Sequence, residues 1–373
     1  MILVAQAIQM TQKNDSGVYE NYYPNTVMSQ VEGNLQMKAK VIVITGVANQ
    51  TITISGDISQ IVTTDNDGSV MIYLPYGNYT LTTDSKTKSL VIDAIKVYNI
   101  TFFDVESVLN DNDWATISVA SKTGLASNYW SIGDAKAIKL NGTASELSLN
   151  ATLYCYILDF DHDKSSASGA ADGITFGTFK TAASGGTDVC LVSGYNNNSD
   201  FRMNTTNTNS GGWKNSDMRY NILGSTNTQN GDVADTTATS PKANTLMSCL
   251  PSDLRAVMRP MYVYTDNTGG GSDTASYVTG TLDYLPLLAE YEVHGTRTYA
   301  NSAEQNNQTQ YAYYKNGNSK VKYVHSNIFS AIGWWNRSPD CSHSRYFCRV
   351  DGKGFAANYS AYYSYGVAPM FKV

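Results

Sequence analysis

Close to the C-terminal end lies a stretch whose composition rules out an ordinary hydrophobic core. From Asp340 to Tyr365 there is no Leu, Ile, Met, Trp, Glu or Gln, whereas Tyr, Ser, Asn, Asp, Arg, His and Cys recur without the period of a helix or a strand. Two fixed-looking frames bracket it, Trp334-Trp335-Asn336-Arg337-Ser338-Pro339 before and Gly366-Val367-Ala368-Pro369-Met370-Phe371 after. A segment so poor in aliphatics and so rich in Tyr and Ser has the make-up of an antibody paratope, where rigid amphipathic rings give contact area at little entropic cost. A fold that carries such a surface must bury the frames and leave the residues between them projecting into solvent. The expected frame is Trp334, Trp335, Arg337, Phe347, Val350, Gly366, Val367, Pro369 and Phe371. Within it, Arg337 would use its fork of donors to tie carbonyls or a carboxylate beneath the loop. The expected ligand contacts are Asn336, Asp340, Ser342, His343, Ser344, Arg345, Tyr346, Arg349, Asp351, Phe355, Asn358, Tyr359, Tyr362, Tyr363 and Ser364.

At 373 residues the chain is long enough for two or three domains. Charged residues make up 16% and the net charge is −6, so the polar mass comes from Asn, Thr, Ser, Gly and Tyr, a profile of β-rich extracellular or virion proteins. There is no basic stripe to hold nucleic acid. No apolar run approaches the length needed to cross a bilayer, so membrane insertion is not expected. The opening residues, Met1 to Ile8, lack the charged and apolar regions of a signal peptide. A protein of this kind that acts outside the cell is expected to leave by another route, such as release within a phage particle. The cysteines Cys155, Cys190, Cys249, Cys341 and Cys348 are odd in number and contain no C-x-x-C pair, which argues against a disulfide framework or a zinc site. Cys341 and Cys348 could pair if a turn brought them together, but the favoured reading is two free thiols.

Three regions follow from the patterning. Residues 1–36 are polar and weakly patterned, which suggests an attachment or assembly segment that packs on a partner. Residues 37–105 alternate, as in Val41-Ile42-Val43-Ile44 and Thr51-Ile52-Thr53-Ile54, which predicts a small all-β sandwich with a hairpin turn at Asp65-Asn66-Asp67-Gly68. Its Leu74-Pro75-Tyr76-Gly77-Asn78-Tyr79 segment resembles the strand entry of prealbumin-like or carboxypeptidase-regulatory-like modules, which implies a spacer without chemistry of its own.

Residues 106–373 read as one domain. A short helix at Trp114 to Ser118 is expected to lead to a strand at Trp130 to Asp134, with a buried strand at Leu153 to Phe160. An amphipathic helix fits Gly211 to Arg219, and another fits Pro251 to Met258, where Leu254, Val257 and Met258 recur at helical spacing. Tyr284 to Gly295 reads as a strand turning into a loop.

The order of these marks, closing on Trp-Trp-x-Arg-Ser-Pro and Gly-Val-x-Pro-x-Phe, resembles a C-type-lectin-like family found in phage tail fibres of gut Gram-positive bacteria. The fold class implied is an α+β C-type-lectin-like domain after a small prealbumin-like or Ig-like sandwich. Position 336, often apolar in that family, is Asn here, and Ala368 stands where Arg is common. The frames and the composition between them resemble the variable region of proteins diversified by diversity-generating retroelements. There adenine-randomised codons never yield Lys, Gln, Glu, Met or Trp, and only Lys353 breaks that pattern between Asp340 and Tyr365. This resemblance places the variable region at about 336–364.

Chemical readings of the same residues are weaker. Asp159-Phe160-Asp161-His162-Asp163 has Lys164 where a calcium loop needs Gly, and reads as a strand end with solvated carboxylates. Calcium in loops is compatible with a lectin-like fold, but no cofactor and no metal ligand is assigned. The histidines His162, His294, His325 and His343 show neither metal-ligand spacing nor a partnered nucleophile. The sulfatase-modifying oxidase shares a related lectin-like fold, yet a fold does not carry an activity with it, and no catalytic residue is assigned. The expectation is a non-enzymatic phage tail-tip receptor-binding protein, a homotrimer by analogy with tail fibres. It would be anchored to tail or baseplate proteins and would bind a bacterial surface protein or glycan. The alternatives are a diversified bacterial cell-surface or secreted adhesin and an invariant structural tail-fibre cap.

Overall fold

The computed structural model describes residues 38–194, 200–234 and 236–373, together with the backbone of two short strands, Met10–Lys13 and Tyr19–Tyr22, which pair antiparallel. Apart from those strands, the expected attachment segment lies outside the described residues. The chain divides into two units, Met1–Phe102 and Phe103–Val373. Its architecture is mixed α+β, mostly sheet with few helices.

In the first unit, apolar residues at every second position put one face of each strand inside. Ala39, Val41 and Val43 of Lys38–Ile44 are buried, as are Ile52 and Ile54 of Thr51–Gly56, while the residues between them reach solvent. Ser69–Pro75, Lys38–Ile44 and Val97–Thr101 form one sheet in that order. Gln60–Thr63, Thr51–Gly56, Gly77–Thr82 and Thr87–Ile92 form the other, and Leu74, Tyr79, Leu81 and Ile92 join the shared core. Gly77, at φ +154°, lets the chain pass between the sheets, since a Cβ there would strike the Asp57 carboxylate that accepts from the Asn78 N–H.

The turn at Asp65 is as tight as its residues imply, with the Asp65 carboxylate accepting from the Asp67 and Ser69 N–H groups at 3.0 and 2.9 Å. It does not close a hairpin, however. Gln60–Thr63 and Ser69–Pro75 lie in different sheets, so the turn carries the chain across the sandwich. Side-chain chemistry fixed the reversal locally, but strand pairing depends on distant partners.

The second unit is built on a seven-stranded sheet. Ala135–Ala144, Leu147–Phe160, Ile174–Lys180, Asp188–Cys190, Lys322–Val324 and Asn327–Ile332 follow one another, and Met370–Lys372 also pairs with Ile174–Lys180. Ile174–Lys180 is buried at all but its last position, which suits a strand covered on both faces. Phe371 stacks on Phe176 at 5.5 Å, and both rings meet Trp114 edge-on. Trp114 opens the helix Trp114–Lys122, whose cap residue Asp113 accepts from the Thr116 N–H at 2.7 Å.

Several local expectations change. Trp130 to Asp134 is a turn closed by the Asp134 carboxylate on the Ser131 N–H, and the strand begins at Ala135. Gly211 to Asn215 forms turns, because Gly211 and Gly212 sit at positive φ, and one wide helical turn follows at Met218–Ile222, where the Leu223 N–H donates to the Met218 carbonyl. Tyr284 to Ala289 is unpaired in any named strand and leads into a helix, Glu290–His294, ended by Gly295 at φ +67°. The second expected helix runs over Ser252–Val257. Asp163 is not solvated. It is buried and accepts from Thr175 Oγ1 at 2.5 Å and from the Tyr311 hydroxyl at 2.9 Å. Burial alone would lower the neighbouring imidazolium of His162, but the Asp163 carboxylate more than offsets this and raises it to about 9.

Candidate functional site

Trp334–Pro339, Tyr346–Val350 and Ala356–Ser360 make a three-stranded antiparallel sheet that carries the candidate surface. Tyr346–Val350 and Ala356–Ser360 show that the aliphatic-poor stretch does contain paired strands, and Phe347, Cys348, Val350 and Ala361 within it are core. The periodicity was masked because small and sulfur-bearing residues take inward places normally held by Leu or Ile. Trp334–Pro339 is buried at every position, and the Trp335 N–H donates to the Gly366 carbonyl at 2.9 Å. The two sequence frames thus lie side by side, with Trp334, Trp335, Phe347, Val350, Gly366, Val367, Pro369 and Phe371 all buried.

Beneath them the polar contacts converge on Arg337. It is fully buried, and its Nη1 and Nη2 donate to both carboxylate oxygens of Glu292 at 2.6 and 2.5 Å. Nη1 also reaches the Leu287 carbonyl at 2.7 Å, and Nε reaches Thr265 Oγ1 at 2.8 Å. Burial alone would lower the Arg337 pKa, but the Glu292 carboxylate holds it above the usual guanidinium value. The same Glu292 caps its own helix by accepting from the Ala289 N–H at 2.8 Å. Next in the strand, Ser338 Oγ donates to Glu304 at 2.6 Å, and Glu304 accepts from the Asp266 N–H at 2.9 Å. Burial pushes the Glu304 carboxyl up to about 7 against these bonds.

Two further side chains hold backbone rather than charge. Glu290 accepts from the N–H groups of Thr298, Tyr299 and Ala300 at 3.0, 2.9 and 2.8 Å. The Tyr299 carbonyl in turn accepts from the Cys341 N–H at 3.0 Å. Asn209, also buried, donates through Nδ2 to the carbonyls of His343 and Tyr346 at 2.9 and 2.8 Å. The backbone of residues 340–346 is therefore gripped by groups outside the aliphatic-poor stretch.

On the outside lies a cleft of about 650 Å³. Of the expected contacts it gathers Arg345, Tyr346, Arg349, Asn358, Tyr359, Tyr362 and Tyr363; it adds Ala357 and Ser360 from the same stretch and, from outside it, Asn207 and Tyr299, which sequence reasoning missed. Nothing local marks those two, since Asn207 sits in a polar run and Tyr299 arrives through the Glu290 contacts. The rings form an edge-to-face chain: Tyr359 meets Tyr363 at 4.9 Å, Tyr362 meets Tyr363 at 4.8 Å, and Trp335 meets Tyr365 at 5.1 Å from below. Ser342, His343, Ser344 and Phe355 are exposed outside the cleft lining, with His343 stacked on Tyr346 at 5.0 Å. Asp351 accepts from the Lys353 and Phe355 N–H groups and builds the turn between the two outer strands.

Three expected contacts are corrected. Asn336, Asp340 and Ser364 are buried and cannot meet a ligand. Asp340 accepts from Ser342 and Asn358 and organises the loop, whereas Ser364 Oγ donates to the Gly194 carbonyl at 2.6 Å. Asn336 has no hydrogen-bond partner for either amide atom among the described residues. Cys341 and Cys348 are free.

The geometry defines a sheet-rich α+β chain that displays an aromatic cleft over a buried ionic frame. It belongs to the family described as Domain of unknown function (DUF6273), whose match covers residues 187–373 and so includes the entire three-stranded sheet and cleft. No curated protein matches the chain. Among the described residues no helix is long and apolar enough to cross a membrane.

Opposite stability effects are expected at adjacent positions. Arg337→Met, which strands Glu292, should cost about 3–5 kcal/mol, whereas Asn336→Leu, which removes a buried unpaired amide, should be neutral or stabilising by up to about 2 kcal/mol in denaturant unfolding. The Glu304 carboxyl holds its proton more tightly folded than unfolded, so its contribution is complete below pH 4.5 and disappears as pH rises through about 7. Between pH 4.5 and 7 the parent should therefore lose stability relative to Glu304→Gln, read as the change in the difference between their unfolding midpoints. The difference is needed because His294, half-buried and depressed to about 4 by desolvation, acts in the opposite sense on the midpoint of both chains.

Proposed function

We propose that this chain is a receptor-binding protein at the tip of a phage tail, with a C-type-lectin-like second unit whose hypervariable surface holds a bacterial surface ligand. The observation that carries the reading is the convergence of Arg345, Tyr346, Arg349, Asn358, Tyr359, Tyr362 and Tyr363 on one open cleft, while Asn209, Glu290, Glu292 and Arg337 hold the backbone below. A surface built this way tolerates exchange of its side chains without loss of the platform, which is what diversification requires. Two arginines and several tyrosines at one surface are the residue types that dominate binding energy at interfaces. Display in several copies on a tail fibre would convert weak single contacts into avidity.

The test combines the gene with the cell. Sibling genes should differ at the cleft positions and keep Asn209, Glu292 and Arg337, and the purified chain should bind a subset of Gram-positive cells. Tyr359→Ala and Tyr363→Ala should each weaken that binding by about tenfold or more with the unfolding temperature unchanged. An invariant 3′ end, or cell binding indifferent to both substitutions, contradicts the reading.

A further inference from the structure

The cleft is electrostatically unlike the rest of the chain. The net charge is −6, yet the cleft lining holds two guanidinium groups, Arg345 and Arg349, and no Asp or Glu. Arg349 is fixed against two rings, with its Cζ 4.6 Å from the Tyr365 centroid and 5.5 Å from that of Tyr359. Gly333 leaves the room, because a Cβ there would collide with Arg349 Nη1. Ring stacking orients the guanidinium plane but gives its in-plane N–H groups no acceptor. Among the described residues neither Arg345 nor Arg349 donates a hydrogen bond from its side chain or joins an ion pair, and Arg349 Nε is buried without a partner.

Every other arginine has an ion-pair or hydrogen-bond partner, Arg202 with Asp200 included, although Nε of Arg202 and of Arg259 is also unbonded. Arg219 is paired with Asp283, Arg259 with Asp172, Arg297 with Asp273 and Arg337 with Glu292, while Arg255 donates to the Leu250 and Ala238 carbonyls. The acids close in sequence to the cleft are committed elsewhere. Asp340 is buried and accepts from Ser342 and Asn358, and Asp351 accepts from the turn N–H groups of Lys353 and Phe355. A preoriented guanidinium whose donors lack acceptors is the arrangement that recognises a carboxylate or phosphate. The remaining lining is rings, amides and hydroxyls, with Ala357 its single aliphatic side chain. With a single aliphatic side chain among hydroxyls and amides, the lining favours a hydroxyl-rich ligand over a peptide held by aliphatic anchors.

We propose that the cleft takes an anionic glycan, a hydroxyl-rich sugar polymer whose carboxylate or phosphate groups are clamped by Arg349 and Arg345 while the tyrosines cover the adjoining sugar. The proposal rests on the cleft being the ligand-binding surface. Three polymers distinguish the possibilities in direct binding to the full chain: polygalacturonate for a carboxylate, poly(glycerol phosphate) for a phosphate, and neutral dextran. One of the two polyanions should bind, more weakly at high salt, and Arg345→Ala and Arg349→Gln should each lower its affinity about tenfold. Arg345 is exposed, so its substitution reports on binding even if Arg349→Gln disturbs the rings. Binding of dextran equal to that of both polyanions, binding indifferent to Arg345→Ala, or no binding of any polymer overturns the anionic assignment. Polyanion binding that depends on neither Arg345 nor Tyr359 and Tyr363 instead places the ligand outside the cleft and removes the functional reading as well.

Discussion

The bidentate pair between Arg337 and Glu292 is the contact on which the display surface depends. Removing two charges from water costs several kcal/mol per ion, and only near-ideal geometry with further hydrogen bonds recovers it. Here Arg337 spends its donors on Glu292, Leu287 and Thr265, while Glu292 also accepts from the Ala289 N–H. One pair thereby joins the inner strand of the three-stranded sheet, the Met261–Asp266 strand and the start of the Glu290–His294 helix. Such a pair adds less to net stability than to uniqueness, because any slip of the strand would leave a buried charge unpaired.

A second buried pair repeats the logic. Arg219 donates through Nε to Asp283 at 2.6 Å and through its terminal nitrogens to the carbonyls of Lys214, Gly231 and Leu282. Asp283 also accepts from Trp213 Nε1 and Ser225 Oγ. Together the two pairs fix irregular backbone that neither helix nor sheet would hold. The outer strands then need few aliphatic residues of their own, and their outward positions are left to the cleft.

The legible part of this arrangement is the part written locally. Trp334, Trp335, Val367 and Phe371 stand in short motifs of bulky residues beside Gly and Pro, and their burial follows from residue type. Alternation marked the strands of the first unit for the same reason. Arg337 could be read as structural, but its partner could not, because Glu292 lies 45 residues away. Asn209 was invisible for a stronger reason, since an Asn in a polar run looks like any loop residue until the fold brings residues 340–346 to it. Asn336, Asp340 and Ser364 were misjudged because composition described the whole segment as surface. Strand pairing within it turns some of its small polar residues inward, and residue type alone does not say which.

The central claim is that the platform is held from outside the residues it displays. The most direct measurement is the unfolding temperature and the structure of one variant in which Ser344, Arg345, Tyr359, Tyr362 and Tyr363 are all exchanged for residues of different size and charge. The account predicts a melting temperature within about 5 °C of the parent and an unmoved Arg337–Glu292 pair. A variant that unfolds, or whose 340–346 backbone detaches from Asn209, would contradict it.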